Sequence, residues 1–526
     1  MELNNNEWLS HLENCIPDAA KGYNLSMYTI ALEAWRRGIT VKFFNNTPRQ
    51  ARIKYSLSYK EKSHIFSGSR GDLVSKKAIK ICMNKQLTKD YLQKSGVPTP
   101  KGIEIFADTS EEEVLRHANS IGYPLVVKPS NGKGGHGVIA NIKNDGQLIK
   151  ALNYVRGELN YSELIIEKHI NGVDHRVFVL GNKVIGAFSR IPANVIGDGH
   201  NNIKMLLKEK NKKRNLNPSL NGIPIKIDTE MHDILKQQGY TLESIPKKGE
   251  RVFLKSKNNV SSGGDSTDST DQLSEEVKKI AIDAVKAIPG LVQGGVDIIV
   301  DTENNTGEVL EINSLPSIRN HLFPMEGKAR DIPKAIVDFY FPETRVVKNS
   351  YKYYFDFDTV IDNFIRRVSN EFLIPPLPKG DINFKQFIVS GKIKNKSTLN
   401  NWIKRQTRRF KVDGYLEYLE SNKVLIVVAA EQKILDKFEY AVKTRFPNLN
   451  IVQKDWIKPI KLGFEIKEKH VEQKDILNTD QYLNLKKELE KVKRELDFYK
   501  QKNEKMEKST SWRITAPIRK VRGMFK

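Results

Sequence analysis

Cysteine is almost missing from this chain, with Cys15 and Cys82 the only two in 526 residues. Two thiols so far apart give neither a disulfide framework nor a zinc-type spacing, and they read as reduced side chains of a cytosolic protein. Long apolar runs are missing too: none approaches the roughly 20 residues needed to span a bilayer. The start, MELNNNEWLSH, lacks the basic residues and apolar stretch of a secretory signal. Acidic residues are in the minority, 63 Asp and Glu against 87 Lys and Arg, which leaves a formal charge of +24. That sign asks for an anionic partner without choosing between nucleotide, acidic glycan, anionic lipid and nucleic acid. The aromatic-interleaved basic signatures of nucleic-acid modules are absent, which argues against the last of these. What remains is a globular composition, 39% hydrophobic and 29% charged, long enough for about two to four domains.

The pattern along the chain predicts a multidomain α/β and α+β protein. Residues 1–80 read as a small α/β unit, with the amphipathic SMYTIALEAWRRG followed by the strand ITVKFF. Residues 81–345 alternate short strands (PLVVKP, LIIEKHI, VDIIV) with helices (SEEEVLRHANSIG, SEEVKKIAIDAVKAIP). Residues 346–381 read as a linker. Residues 382–466 follow the order βαββαβ, that of a split-βαβ, ferredoxin-like domain. Over 474–508, Leu485, Leu489, Val492, Leu496, Tyr499 and Met506 alternate four and three apart, with Asn503 filling the step before Met506, the seam of a short coiled coil, before a basic tail at 509–526.

Three segments carry candidate chemistry. In PLVVKPSNGKGGHGV a strand delivers Lys128 into a glycine-rich turn with Gly132, Gly134, Gly135 and Gly137. Such a turn brings backbone N–H groups close to a polyphosphate, and the lysine adds a point charge. No Gly-Lys-Ser/Thr opens a helix, so this is not a Walker A loop. In GGVDIIVDTENNTGEVLEINS two strands flank a turn. Asp297 lies on the first, and Glu311 and Asn313 lie two apart on the second, on one face. Hard oxygen donors of this kind suit Mg²⁺, which binds through few carboxylates plus water and phosphate oxygens. In LIIEKHINGVDHRVFVLGNKVIGAFSR, Glu167 and Lys168 end a strand, Asp174 follows a turn, and Arg176 and Arg190 are each suited to gripping an anion.

With MNKQLTKDYLQKSGVPTP ahead of them, these segments, in this order, resemble an ATP-grasp domain over about residues 80–340. The likeness is greatest to cyanophycin synthetases and bifunctional glutathione synthetases, and more distant to D-alanine–D-alanine ligases. The resemblance implies a carboxylate–amine ligase that uses ATP and Mg²⁺. It implies that Lys85, Lys128 and the glycine-rich loop hold phosphates, Glu167 and Lys168 meet adenine, and Asp174 meets ribose. Asp297, Glu311 and Asn313 would hold the metal. The stretch GERVFLKSKNNVSSGGD resembles a cyanophycin synthetase loop, which implies that Arg251, Asn259, Ser261 and Gly263 lie near the substrate carboxylate or acyl phosphate. Distant relatives carry an arginine two residues before the metal aspartate, and here that position is Gly295. Arg190 or Arg251 is therefore expected to supply the transition-state charge, with Asn313 beside it and Arg176 on the substrate.

The 384–465 segment resembles acylphosphatase, but the family's catalytic arginine falls at Asn400 and its asparagine at Tyr418, so a non-catalytic relative is expected. The tail STSWRITAPIRKVRGMFK resembles an ending found on bacterial polysaccharide-assembly enzymes. The expectation is a cytoplasmic ATP-dependent ligase joining a small carboxylate to an amine, acting on a surface glycan or making a peptide. Its coiled coil would serve self-association or partner docking and its tail peripheral membrane contact. The rival expectation is a non-catalytic nucleotide-binding scaffold of a polysaccharide-assembly complex.

Overall fold

The computed structural model describes residues 6–45, 53–130, 136–347, 350–391, 395–420, 422–447 and 449–467. Gly132, Gly134, Gly135, the expected coiled coil and the basic tail lie outside them.

The helix Leu25–Arg36 is buried along its whole length, because a sheet covers one side and the helix Ile332–Tyr340 the other. That sheet runs 371–373, 40–44, 54–59, 62–67, 70–71 in spatial order. Its first strand comes from the segment read as a linker, which also contributes Phe355, Phe357 and Val360 to the same core. Arg36 is fully buried here without a carboxylate, and donates instead to the carbonyls of His11, Tyr351 and Tyr353 at 2.8–3.2 Å. Hydrogen bonds of this number are what make an interior guanidinium tolerable.

Two sheets make the middle of the chain. The outer one has the order 102–105, 164–168, 125–129, 139–142 and packs against the helices Glu111–Ile121 and Asp145–Asn153 through Val114, Ala118, Leu148 and Leu152. The central one has the order 265–268, 183–191, 173–180, 293–301, 306–313, antiparallel throughout. One face is apolar, with Val177, Val179, Val296 and Ile298 set against the helix Glu275–Ala287. Period-two alternation therefore sends Asp174, Arg176, Arg190 and Asp297 to the opposite face. An insert between the second and third of these strands in chain order carries the helices Ile203–Leu216 and Thr229–Gln237 on a two-stranded ladder.

Residues 382–467 form a further sheet, ordered 450–455, 382–390, 423–431, 413–420, 464–467. The first four strands are antiparallel and follow the chain order βαββαβ with the helices Lys396–Phe410 and Gln432–Arg445. In KVLIVVAAE both faces are buried. Val424, Ile426 and Val428 meet the two helices, while Leu425, Val427 and Ala429 join the N-terminal core. A strand covered on both sides reads as a continuous apolar run. No helix of the described residues is long and apolar enough to cross a membrane.

Candidate active site

Asn84 caps the helix Lys85–Lys94 by accepting from the Leu87 N–H at 2.8 Å. This sets Lys85 on the first turn and Lys89 one turn later on the same side. Facing them, the strands 125–129 and 164–168 pair Val126 with Glu167 and Lys128 with Ile165, so Lys128 and Glu167 are diagonal neighbours on one face. Glu167 is buried and bonded by both Lys128 and Lys89, the latter at 3.4 Å. Lys85 donates to the Pro129 carbonyl at 3.3 Å. One cleft is lined by Cys82, Lys85, Lys89, Lys128, Glu167 and Glu311. Its lysines outnumber its carboxylates three to two, an excess suited to a polyphosphate. Burial, with the neighbouring Lys128 charge, holds Lys85 and Lys89 below the usual lysine range despite the carboxylates. Burial also pushes the Cys82 thiol up to about 12.

Gly137 closes the glycine-rich turn at φ +74°, where a Cβ would come within 2.9 Å of the Pro129 ring. Lys168, expected beside Glu167 at the base, takes the other face of its strand and donates to the Gly122 and Tyr123 carbonyls at 3.0 and 2.7 Å. Adjacent strand residues point to opposite faces, so the two side chains do not share one contact.

The central sheet sets Arg176, Asp297 and Glu311 in one row across three strands, with Asn313 opposite Gly295 one step along. Arg176 donates to both oxygens of Asp297, the Nη2–Oδ2 contact at 2.9 Å, and Arg190 Nη2 reaches Oδ1 at 2.7 Å. Arg190 Nη1 meanwhile holds Asp174 at 3.2 Å. Burial alone would raise the Asp297 pKa, and the two guanidinium charges outweigh it to hold the carboxyl below its usual range. For Asp174 burial wins over Arg190, and the nearby Asp297 charge adds to the rise. Arg190 is kept firmly charged because Asp297 and Asp174 outweigh its burial.

Gly295 leaves room for Arg176. A Cβ there would lie 2.7 Å from Pro316 Cβ and 3.2–3.3 Å from Cδ and Nη1 of Arg176. The neighbouring strand's guanidinium thus fills the space beside the missing side chain. Among the described residues no group of three or more His, Cys, Asp or Glu converges on a metal-sized site. A cation at this row would take Asp297, Glu311 and the Asn313 amide oxygen, leaving positions for water and phosphate. The donor set fits Mg²⁺, which uses few protein ligands.

None of the four insert residues lines the lysine cleft. Arg251 is exposed on the ladder opposite Ile196, with Nη1 3.5 Å from Asn194 Oδ1. Asn259 caps a short turn by accepting from the Ser261 N–H at 3.1 Å and its hydroxyl at 2.8 Å, and Gly263 ends that turn. Three site-proximal residues escaped the sequence reading. Lys89 had a usable signal, its i, i+4 spacing from Lys85. Arg70, which donates to Ser314 Oγ at 3.2 Å, and Arg319, which opens the short helix Arg319–Leu322 after the acidic hairpin, had none. In the C-terminal sheet the Tyr418 hydroxyl donates to Asn400 Oδ1 at 2.7 Å.

Comparison with known proteins agrees with this geometry. The chain is 32% identical to the cyanophycin synthetase of Trichormus variabilis over 324 residues, 60% of this chain and 35% of that one. It is 32% identical to the glutathione biosynthesis bifunctional protein of Clostridium perfringens over 330 residues, 60% of this chain and 41% of that one. The chain thus spans well under half the length of these relatives. Among solved structures, the bifunctional glutathione synthetase of Pasteurella multocida is similar at 29% identity and a TM-score of 0.45, covering 55% of this chain and 41% of that one. The model of the ATP-grasp domain matches residues 82–317. The lysine cleft and the acidic hairpin both lie within those bounds, and residues 82–317 are an ATP-grasp domain.

Proposed function

We propose that the chain is an ATP- and Mg²⁺-dependent ligase that phosphorylates a small carboxylate and joins the resulting acyl phosphate to an amine. The observation that carries this reading is the convergence of Lys85, Lys128 and Glu311 on one cleft, with Glu311 in register with Asp297. Bound Mg²⁺ would supply charge neutralisation at the transferring phosphoryl group, held by Asp297, Glu311 and Asn313. Lys85 and Lys128 would hold the phosphates, which requires Glu167 to yield part of its hold on Lys128. Arg176 and Arg190, released from Asp297 as that carboxylate turns to the cation, would face the developing charge of the carboxylate attack. The amine then displaces phosphate through a tetrahedral intermediate whose oxyanion needs the same donors. The glycine-rich turn and the insert carrying Arg251, Asn259, Ser261 and Gly263 are suited to excluding water from the acyl phosphate.

In the same reading the 382–466 domain is a ferredoxin-like, acylphosphatase-like module without catalysis, since Asn400 and Tyr418 occupy the two catalytic positions and bond each other. The coiled coil would associate copies or dock a partner. The basic tail would touch an anionic membrane at the cytoplasmic face, which fits ligation onto a surface glycan or peptide. The test is a screen of amino acids and uronic acids for substrate-dependent release of ADP and phosphate. ADP release that needs one acid and one amine supports the proposal, and nucleotide binding without turnover across the panel favours the scaffold reading.

A further inference from the structure

Arg319 is a buried cation without an anion. It is 7% exposed, and its Nε and Nη1 are buried with no hydrogen-bond partner. No salt bridge or hydrogen bond from its side chain is found among the described residues. Among the described residues its guanidinium lies over the ring of Tyr23, whose centroid is 4.9 Å away. Tyr23 is itself 85% exposed, so the contact sits at the protein surface. Contrast Arg36, buried still more completely, which reaches three carbonyl groups. Buried guanidinium donors without partners are destabilising, and a cation–π contact offsets only part of that.

Three segments meet at this arginine. Gly22 donates to the Pro218 carbonyl at 2.9 Å, and Ser219 Oγ hydrogen-bonds Asn320 Oδ1 at 2.6 Å. These contacts join the N-terminal unit and the insert to the turn that follows the metal hairpin. Within that turn Pro316 packs beside Gly295 and Arg176. Arg319 is three residues further on, so it lies within about 11 Å of Pro316. It is near the proposed reaction centre, yet separate from the row that would face the phosphoryl group.

We propose that Arg319, with Tyr23 over its face, binds a carboxylate of the substrates that is not the one phosphorylated, such as the free carboxylate of an amino-acid amine donor. The class of substrate rests on the ligase reading, while the anion site rests only on the buried charge. An arginine kept for a ligand rather than for the fold makes a distinctive thermodynamic prediction. Removing its charge leaves the unliganded protein at least as stable, because a lone buried charge is itself destabilising.

The experiment measures unfolding midpoints of full-length wild type, Arg319→Met and Arg319→Lys, alone and with a panel of L-amino acids and their carboxamides. Arg319→Met should unfold at or above the wild-type midpoint without additives. At least one amino acid should raise the wild-type midpoint where its carboxamide does not, and that rise should vanish in Arg319→Met. With a turnover assay in hand, Arg319→Met should raise the KM of that substrate about tenfold or more and leave the KM of ATP unchanged. A lower midpoint for both variants without additives marks a structural cation and overturns the proposal. So does a shift produced equally by carboxamides, a shift that survives in Arg319→Met, or no shift by any acid of the panel. The stability arm needs no turnover, so it stands or falls apart from the ligase reading.

Discussion

Arg190 reaches Oδ1 of Asp297 at 2.7 Å from a strand that is not its neighbour, passing over the strand that carries Arg176. Asp297 is thus the shared counter-ion of two guanidinium groups as well as a candidate metal ligand. The two carboxylates of the row should therefore fail differently. Glu311→Gln should abolish ATP turnover while leaving the unfolding midpoint close to wild type. Asp297→Asn should abolish turnover and also cost about 3–5 kcal/mol, because it leaves Arg176 without its anion and Arg190 with Asp174 alone. Urea unfolding beside ADP release checks both, and equal stability of the two variants would remove the counter-ion role.

The hairpin that carries this row was legible in GGVDIIVDTENNTGEVLEINS, where two strands flank the turn TENNTG; the structure places them at 293–301 and 306–313. So was the strand that delivers Lys128. What the sequence did not disclose is register between distant segments. Nothing local to Arg176 or Arg190 says that both meet Asp297, or that Glu371–Leu373 leaves an apparent linker to complete the N-terminal sheet. Arg319 was hidden for the same reason: its isolation is a fact about what is not nearby, and no spacing rule encodes it.

Stability should fall as the medium is acidified from near-neutral pH, through the half-buried His11 and the buried His321. Burial, with the Arg36 charge, lowers His11 to about 4, and burial, with the charges of Arg176, Arg190 and Arg330, lowers His321 to about 3. Both are neutral when folded and take up a proton more readily when unfolded, at the ordinary value of 6.5. The unfolded state therefore binds more protons between that value and the folded one, and stability drops as pH falls through this window. Each group contributes a slope of about 1.4 kcal/mol per pH unit. His321→Phe should flatten the profile below neutral pH, and an unchanged slope would show that His321 is not buried in its neutral form.

The C-terminal sheet should not hydrolyse acyl phosphates. The Tyr418 hydroxyl is committed to Asn400 Oδ1 and neither side chain supplies a guanidinium for a phosphate. Full-length Glu311→Gln protein, silenced in its other site, should cleave benzoyl phosphate no faster than buffer. Cleavage that disappears in Arg405→Ala would show that an arginine of the helix Lys396–Phe410 had taken over the role.

Removing residues 474–526 should leave ATP turnover intact and reduce oligomer mass and anionic-liposome binding. The expected coil of about three heptads would be marginal alone, so association should depend on concentration. Sedimentation and liposome co-pelleting that match the full chain would leave the tail without the assigned role.

The central claim is that a carboxylate attacks the γ-phosphate of ATP, and the fate of one oxygen atom tests it most directly. In that reaction an oxygen of the carboxylate becomes part of the released phosphate when the amine displaces it. With a substrate acid labelled in its carboxyl group with heavy oxygen, mass spectrometry of the products should find one labelled oxygen in inorganic phosphate, alongside ADP and the amide. Unlabelled phosphate, or AMP and pyrophosphate in place of ADP, would contradict the account.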